Sequence, residues 1–399
     1  MKKCIVYGAG RHAAYLVDIL RKDKFTVFAL CDSDSKKVGT QYLDLDIISK
    51  DEAIKLCRDD DSIRVVIGVN SREARREILG IINSEFPGKT QAITDIEYIR
   101  DHVERTELEQ FYNKMVFRWK VDLLEAFRIW LSNLDSEINF WLEYGLDRNA
   151  ESAPFLKQSR RTNRRELLFE EPDLAGVVKD GDVVMDIGCA LMTGFGEKIP
   201  DGFINLIPVD PLAYYYNLMN ARDELAIERT YYCYFGMFEL ISNLFGENYA
   251  KCMYISNSMD HSFDPYRGLI KCLYTVKVNG IIKLRHRKAE AVHENWSGLH
   301  KWNFDCIEGD FIIWNKENAI NISEELNEIA EIKVCCSDST KRSDQYVTVL
   351  MKKKKRFELS DFIDIEEENN LIGQIVSMLF ERMALDGKDF QEKLSKVMI

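Results

Sequence analysis

Two rhythms alternate along this chain. Short apolar runs ended by glycine or aspartate make up most of it, and one central stretch carries a three-to-four-residue repeat. Lys3-Cys4-Ile5-Val6-Tyr7, halted by Gly8-Ala9-Gly10, predicts a strand, after which Ala13, Leu16, Val17 and Leu20 share one helical face. Phe25 to Cys31, ending at Asp32, and Ile63 to Val69 predict two more buried strands, and Arg72 to Ile82 a helix. Such alternation argues for right-handed parallel βαβ units. With only about 100 residues it makes a small Rossmann-like domain rather than a full dinucleotide-binding one.

From Asp101 to about Gly145 the period lengthens. Leu123, Leu124, Phe127, Trp130, Leu131, Leu134, Ile138, Trp141 and Leu142 recur every three or four residues, and Gly145 is a natural stop. A second strand–helix series starts at Gly181. Its strands are Val183 to Asp186, Leu206 to Asp210, Met253 to Ser256 and Ile281 to Leu284; Glu331 to Cys335 and Tyr346 to Met351 then close a hairpin. Lys352 to Lys355 reads as a solvated strand end. Leu371, Ile375, Met378, Leu379 and Met383 mark an amphipathic helical tail, read as packing or oligomerisation, which leaves a homo-oligomer open. The changes of rhythm divide the chain into a small α/β domain (1–100), a helical linker or lid (101–175), a larger α/β domain (176–355) and the tail (356–399). The fold class is α/β, with two Rossmann-like parallel-sheet domains joined by a helical segment.

Composition narrows the setting. Hydrophobic residues at 46% and charged residues at 30% belong to an ordinary globular chain. No apolar run approaches the ~20 residues of a membrane span, and the amino-terminus lacks a signal-peptide core, so a cytoplasmic location is expected. The 10 cysteines show no CxxC spacing and read as reduced structural thiols. A net charge of −12 argues against nucleic acid as a partner, because phosphate contacts need a basic face. No HxxE or HxH pair points to a metal, and none is expected.

The chemistry concentrates after the strand at 183–186. Asp186-Ile187-Gly188-Cys189-Ala190-Leu191-Met192-Thr193-Gly194 forms a strand–helix turn where glycine allows close backbone approach to a ligand. Asp210 lies 24 residues on, at the end of the next strand, where a carboxylate can accept two ribose hydroxyls. The segments DIGCALMTGFGEKI, VDPLAYYYNLM, SNSMDHSFDP, VKVNGIIKLRHR and GLHKWNF resemble class I S-adenosylmethionine-dependent methyltransferases of the type found among bacterial surface-glycan biosynthesis genes. The resemblance covers roughly residues 140–353. It implies a seven-stranded methyltransferase sheet with a carboxy-terminal antiparallel hairpin. It also implies a cofactor site: Asp186, Gly188, Cys189 and Gly194 at the methionine part, Asp210 with Pro211 at the ribose, Glu239 near the adenine and Asn257 at the sulfonium. Two departures stand out: Ala190 occupies a position where glycine is common, and Val278-Asn279-Gly280 replaces the usual proline–glycine turn.

Four of the 6 histidines (His261, His286, His293, His300) fall between the fourth strand and the segment after the fifth, on the side where such enzymes place substrate. His261, with Asp260 as its partner, is the first candidate for base or orienter and His300 the second. Trp296 and Trp302 are candidates for an apolar wall or for stacking on a sugar ring. Arg160, Arg161, Arg164 and Arg165 suit a lid gripping a diphosphate, Arg160 and Arg164 foremost, with a solvated helix face as the plain alternative. At the amino-terminus, Gly8-Ala9-Gly10-Arg11-His12-Ala13 reads as GxGxxA, with Asp32 a further 22 residues beyond Gly10, a spacing that serves NAD. The same opening resembles the nucleotide-sugar-binding amino-terminal domains of bacterial sugar acetyltransferases, which implies that Arg11 and His12 lie near the phosphates or the sugar.

The expectation is an S-adenosylmethionine-dependent enzyme that methylates a saccharide or a nucleotide-sugar-linked acceptor, with the first domain as a docking module. Two rivals stay open. One is a redox protein using NAD at Gly8 to Asp32; the other is a non-enzymatic nucleotide-sugar sensor or scaffold.

Overall fold

The computed structural model of the chain describes residues 2–69, 72–86, 115–146, 165, 167–191, 193–220, 233–337 and 345–397. Two compact units, Met1–Lys114 and Met115–Ile399, make up the chain.

The first unit is a five-stranded sheet in the order β3-β4-β2-β1-β5, from β1 (Lys2–Tyr7), β2 (Phe25–Cys31), β3 (Gln41–Tyr42), β4 (Leu45–Ile48) and β5 (Ile63–Ile67). Apart from the antiparallel β3–β4 pair, the strands run parallel. The helices are α1 (Arg11–Lys22), α2 (Lys50–Asp59) and α3 (Arg72–Glu85). Alternate side chains of β1 serve two cores: Cys4 and Val6 pack with α1, whereas Ile5 and Tyr7 pack with Ala53, Ile54 and Ile82. That double burial is why the strand reads as an unbroken apolar run. Ser49 starts α2 through a capping box with Glu52.

The second unit is built on a seven-stranded sheet. Its strands are β6 (Val183–Ile187), β9 (Asn205–Asp210), β10 (Tyr234–Phe235), β11 (Ala250–Ser256), β12 (Val276–Arg287), β16 (Ala330–Cys336) and β17 (Tyr346–Lys353). The order is β10-β9-β6-β11-β12-β17-β16, parallel except for β17, which runs antiparallel to both β12 and β16. The expected carboxy-terminal hairpin is therefore present, and the fold is Rossmann-like α/β. A two-strand ribbon, β7 (Lys198–Ile199) with β8 (Gly202–Phe203), precedes β9.

Helix α4 (Leu123–Leu146) belongs to this second unit. Leu123, Phe127, Trp130, Leu134, Ile138 and Leu142 form its buried stripe. The stripe meets Tyr215 and Tyr216 of α5 (Ala213–Asn220) and Ile375 and Leu379 of α7 (Ile365–Val397). Helix α6 (Pro265–Thr275) lies between β11 and β12 in sequence and buries Leu269, Ile270 and Leu273 in the main core. The tail is thus one long helix packed on α4, and Arg382 pairs with Asp135 there.

One feature has no counterpart in the sequence expectations. A three-stranded antiparallel sheet, β13 (Asn303–Ile307), β14 (Asp310–Trp314) and β15 (Ala319–Asn321), is inserted between β12 and β16. It corrects the reading of Trp302 as a ligand wall. Trp302 is 3% exposed and stacks on Trp119 at 4.8 Å in the main core. Trp296 likewise lies edge-on to Trp314, with the Lys316 ammonium 4.8 Å from its ring. Among the described residues no helix is long and apolar enough to cross a membrane.

Candidate functional site

A cavity of about 850 Å³ opens at the carboxyl ends of β6, β9, β11 and β12. The strand order reverses between β6 and β11, and an open α/β sheet forms its crevice at such a switch point.

On the β6–β9 side the backbone makes the site. Gly188 turns with φ +75°, and a Cβ there would collide with the Ser258 side chain, so the strand end can approach a ligand only as glycine. Ala190 adopts φ +55°, the left-handed region that costs a non-glycine residue about 1 kcal/mol or more. This explains why glycine is favoured at that position and what its replacement entails. The Ala190 N–H donates to Asp210 Oδ2 at 3.1 Å, and the Leu212 N–H donates to Oδ1 at 2.8 Å. These two bonds leave half of the carboxylate's acceptor positions spare. Burial lifts Asp210 to about 7, with Glu137 and Asp186 adding to it and the two backbone bonds opposing it. Glu239 Oε1 accepts from the N–H groups of Phe263 and Asp264 at 2.8 and 2.9 Å, and burial lifts this carboxyl to about 7 as well. Asn257 sits at φ +48°, a conformation asparagine tolerates, and its Oδ1 accepts from the Arg287 N–H at 3.1 Å.

Gly188, Asp210, Pro211, Glu239 and Asn257 therefore line one cavity. Three other expected cofactor residues do not. Asp186 is buried on β6 and reaches the site through its charge on Asp210. Cys189 turns its Sγ to within 3.3 Å of Cys233 Sγ in a small core with Ala213. Gly194 is exposed, with open space around it.

Across the cavity the fold assembles a histidine cluster around one carboxylate. Asp260 is fully buried, with Oδ2 2.6 Å from His300 Nδ1 and Oδ1 3.2 Å from His286 Nε2. His261 Nε2 lies 3.1 Å from His300 Nδ1, and His261 Nδ1 faces Glu137 Oε1 at 3.8 Å. Burial opposes a charge on His300, but the Asp260 carboxylate outweighs it and raises the imidazole to about 9. The three neighbouring histidines hold Asp260 well below the usual carboxylate range against its burial. His261 and His300 line the cavity, while Asp260 stands behind them, fully buried.

The charged part of the remaining lining is mostly acidic. Glu137 from α4 and Glu290 and Glu294 from the segment after β12 stand near the histidines, and Arg287 is the one arginine or lysine among the described lining residues. Arg287 pairs with Glu290 at 3.3 Å and meets the Tyr346 hydroxyl at 3.4 Å. The sequence reading missed these four. For Arg287, Glu290 and Glu294 only their position beside His286 and His300 in the chain was a hint, and for Glu137 there was none, since no spacing rule links residue 137 to residue 290.

In the first unit, Gly8 takes φ +112°, and a Cβ there would press against Val69 and the Gly68 carbonyl. Gly10 precedes α1 without a side-chain cap. Asp32 Oδ2 accepts from the Ala9 N–H at 2.8 Å and from Lys37 Nζ at 3.0 Å, so this carboxylate ties down the glycine turn. Arg160, Arg161 and Arg164 and the side chains of Arg11 and His12 lie outside the described residues.

Residues 1–86 match the family model described as C2185-like, N-terminal. No curated protein matches the chain. Among solved structures, the chain is similar to the 1,6-didemethyltoxoflavin-N1-methyltransferase of Burkholderia thailandensis, solved with 1,6-didemethyltoxoflavin and S-adenosylhomocysteine. The two share 12% identity over 60% of this chain and 94% of that one, at a TM-score of 0.33. It is similar to a SAM-dependent methyltransferase of Methanosarcina mazei at 13% identity over 47% of this chain and 100% of that one, at a TM-score of 0.28. A further match is the UDP-D-quinovosamine 4-dehydrogenase of Vibrio fischeri, 24% identical over 21% of this chain and 72% of that one, at a TM-score of 0.19.

Proposed function

We propose that this chain is an S-adenosylmethionine-dependent methyltransferase whose acceptor is a saccharide or a nucleotide-sugar-linked saccharide of glycan assembly. One observation carries the reading. A buried carboxylate at the end of the second strand, Asp210, is fixed by two backbone N–H groups and keeps spare acceptor positions in the cavity that Gly188 opens. The bound donor supplies an electrophilic methyl group on a sulfonium. Gly188 and Ala190 would give the backbone approach to its amino-acid part, Asp210 would accept its ribose hydroxyls, and Glu239 would face its adenine.

The acceptor would stand between Asn257 and the histidines. Glu137, Glu290 and Glu294 suit ring hydroxyls, which donate hydrogen bonds to carboxylates. Removal of the acceptor proton would fall to this side of the cavity, where His261 and His300 stand with the glutamates. At neutral pH His300 holds a proton against Asp260, so it serves as donor and orienter more readily than as base. In this reading Arg160 and Arg164 grip a diphosphate, and the first unit docks a nucleotide through Gly8, Gly10, Arg11 and His12. Asp32 accepts three hydrogen bonds, from the Ala9 and Asp34 N–H groups and from Lys37, one more than Asp210, which leaves it less free to take an NAD ribose.

Calorimetry with S-adenosylhomocysteine tests the reading. A saturable one-to-one heat is expected, and no heat with folded protein would overturn it. NADH titrated in parallel is expected to give none. The affinity should also depend on pH. Only the ionised form of Asp210 accepts two hydroxyl hydrogen bonds, and in the free protein its pKa is raised to about 7. Affinity is therefore expected to rise with pH through about 7 and to level off by about pH 8. An affinity that falls as pH rises would remove Asp210 from the contact.

A further inference from the structure

Three polar atoms at the histidine cluster converge on one point and compete for one proton. His300 Nδ1 lies 2.6 Å from Asp260 Oδ2 and 3.1 Å from His261 Nε2, and the triangle closes with 3.6 Å between His261 Nε2 and Asp260 Oδ2. A ring nitrogen has either one hydrogen or one lone pair, so His300 Nδ1 cannot satisfy both neighbours. A cation at the centre satisfies all three. The circle through the three atoms has a radius of about 1.8 Å, so an ion at the usual ~2.1 Å from each nitrogen and oxygen fits just above their plane.

The surroundings are those of a metal site as well. The other nitrogen of His261, Nδ1, lies 3.8 Å from Glu137 Oε1, which Trp141 Nε1 holds in place at 2.7 Å, so a carboxylate stands near the outer side of this imidazole. Behind Asp260, its Oδ1 is fully buried beside His286 and makes no hydrogen bond. Glu290 is 2% exposed, lines the same cavity, and its Oε2 is buried without a hydrogen-bond partner. An acidic cavity wall with one arginine supplies the negative field that a divalent cation needs.

We propose that Asp260, His261 and His300 bind a divalent first-row metal ion, of the manganese or iron(II) type, in the wall of the cavity. Two imidazoles and one carboxylate form the facial set that leaves the remaining positions of an octahedral ion open, and both histidines border the cavity. Resting on the methyltransferase reading, the open positions would take adjacent hydroxyls of the acceptor. The ion would then lower the pKa of the hydroxyl to be methylated, and the proton would pass to a nearby carboxylate such as Glu290. The cluster would thus do its work as a metal site rather than as an imidazole base. No spacing rule finds it, because His300 lies 39 residues from His261.

Manganese(II) is the probe, since thiolates compete poorly for it and the chain has 10 cysteines. The full chain, stripped with chelator, is titrated with MnCl2 and followed by calorimetry and by loss of the free-ion paramagnetic resonance signal. One site per chain is expected. His300→Ala and the near-isosteric Asp260→Asn should each weaken it by at least about tenfold, while the S-adenosylhomocysteine heat, measured on the same samples, persists. That second heat reports folding and keeps the two readings apart, because its loss in the wild type sinks the methyltransferase and leaves the metal site standing. Absence of manganese binding in the wild type overturns the metal site. So does equal binding by folded variants, which would mark an adventitious ion only.

Discussion

Asp210→Ala is expected to raise the dissociation constant for S-adenosylhomocysteine by roughly a hundredfold while the protein stays folded. Hydrogen bonds to a charged group contribute about 1.5–3 kcal/mol each. Losing two hydroxyl contacts, partly replaced by water, gives a net of about 3 kcal/mol, close to two decades in affinity. The cost to the fold is smaller. The Ala190 and Leu212 N–H groups lose their acceptor, but a carboxyl that burial has lifted to about 7 is removed with it. Above its unfolded pKa near 4, a carboxyl so raised opposes folding, increasingly as pH climbs to about 7. Removing it therefore offsets part of the lost hydrogen bonding at neutral pH. Asp210→Asn should fall between the two, keeping one acceptor atom and the shape but losing the charge. Unchanged affinity in Asp210→Ala would move the ribose elsewhere and take the methyltransferase reading's main support with it.

What the sequence made legible follows from which forces act locally. The strands of the main sheet read correctly because their burial is continuous: Val184, Met185, Val209, Ile255 and Leu284 are all inside. The place of Asp210 at the mouth of the sheet was legible for the same reason, since it ends a continuously buried strand. The short strands β3, β4 and β10 and the inserted sheet β13–β15 were not. Strands of two to four residues, such as β3, β4, β10 and β15, carry too few alternations to be told from loops. Trp302 shows the converse error. An aromatic residue beside a histidine suggests a ligand wall, but stacking on Trp119 from 183 positions away decides its place. The histidine cluster was half legible. Asp260 and His261 are neighbours, whereas the approach of His286 along β12, of His300 after the turn and of Glu137 from α4 depends on tertiary packing alone.

Glu368→Ala is expected to cost the second unit about 3–5 kcal/mol, the range for leaving a buried charge unpaired. Glu368 sits in the first turn of α7 and joins two cations of α6. Its Oε1 accepts from Lys271 Nζ at 2.6 Å and its Oε2 from Arg267 Nη1 at 2.8 Å. Lys271 is fully buried, and burial lowers its pKa even with Glu368 beside it; once the carboxylate is gone, only Asn243 remains as a hydrogen-bond partner. Arg267 is less at risk because Asp264 stands 3.7 Å away. The double variant Lys271→Met with Glu368→Leu removes the charges together and should recover most of the loss, because an ion pair replaced by apolar side chains of similar size is often neutral. All 6 tryptophans lie in Met115–Ile399, so urea unfolding followed by their fluorescence reports this unit alone. The site should feel the change as well. α7 packs Ile375 and Leu379 against Leu123 and Phe127 of α4, and the same helix presents Trp130, Glu137 and Trp141 to the cavity. If the single variant loses less than about 1 kcal/mol, Lys271 has found water or shed its proton, and the tail helix is peripheral to the cooperative core.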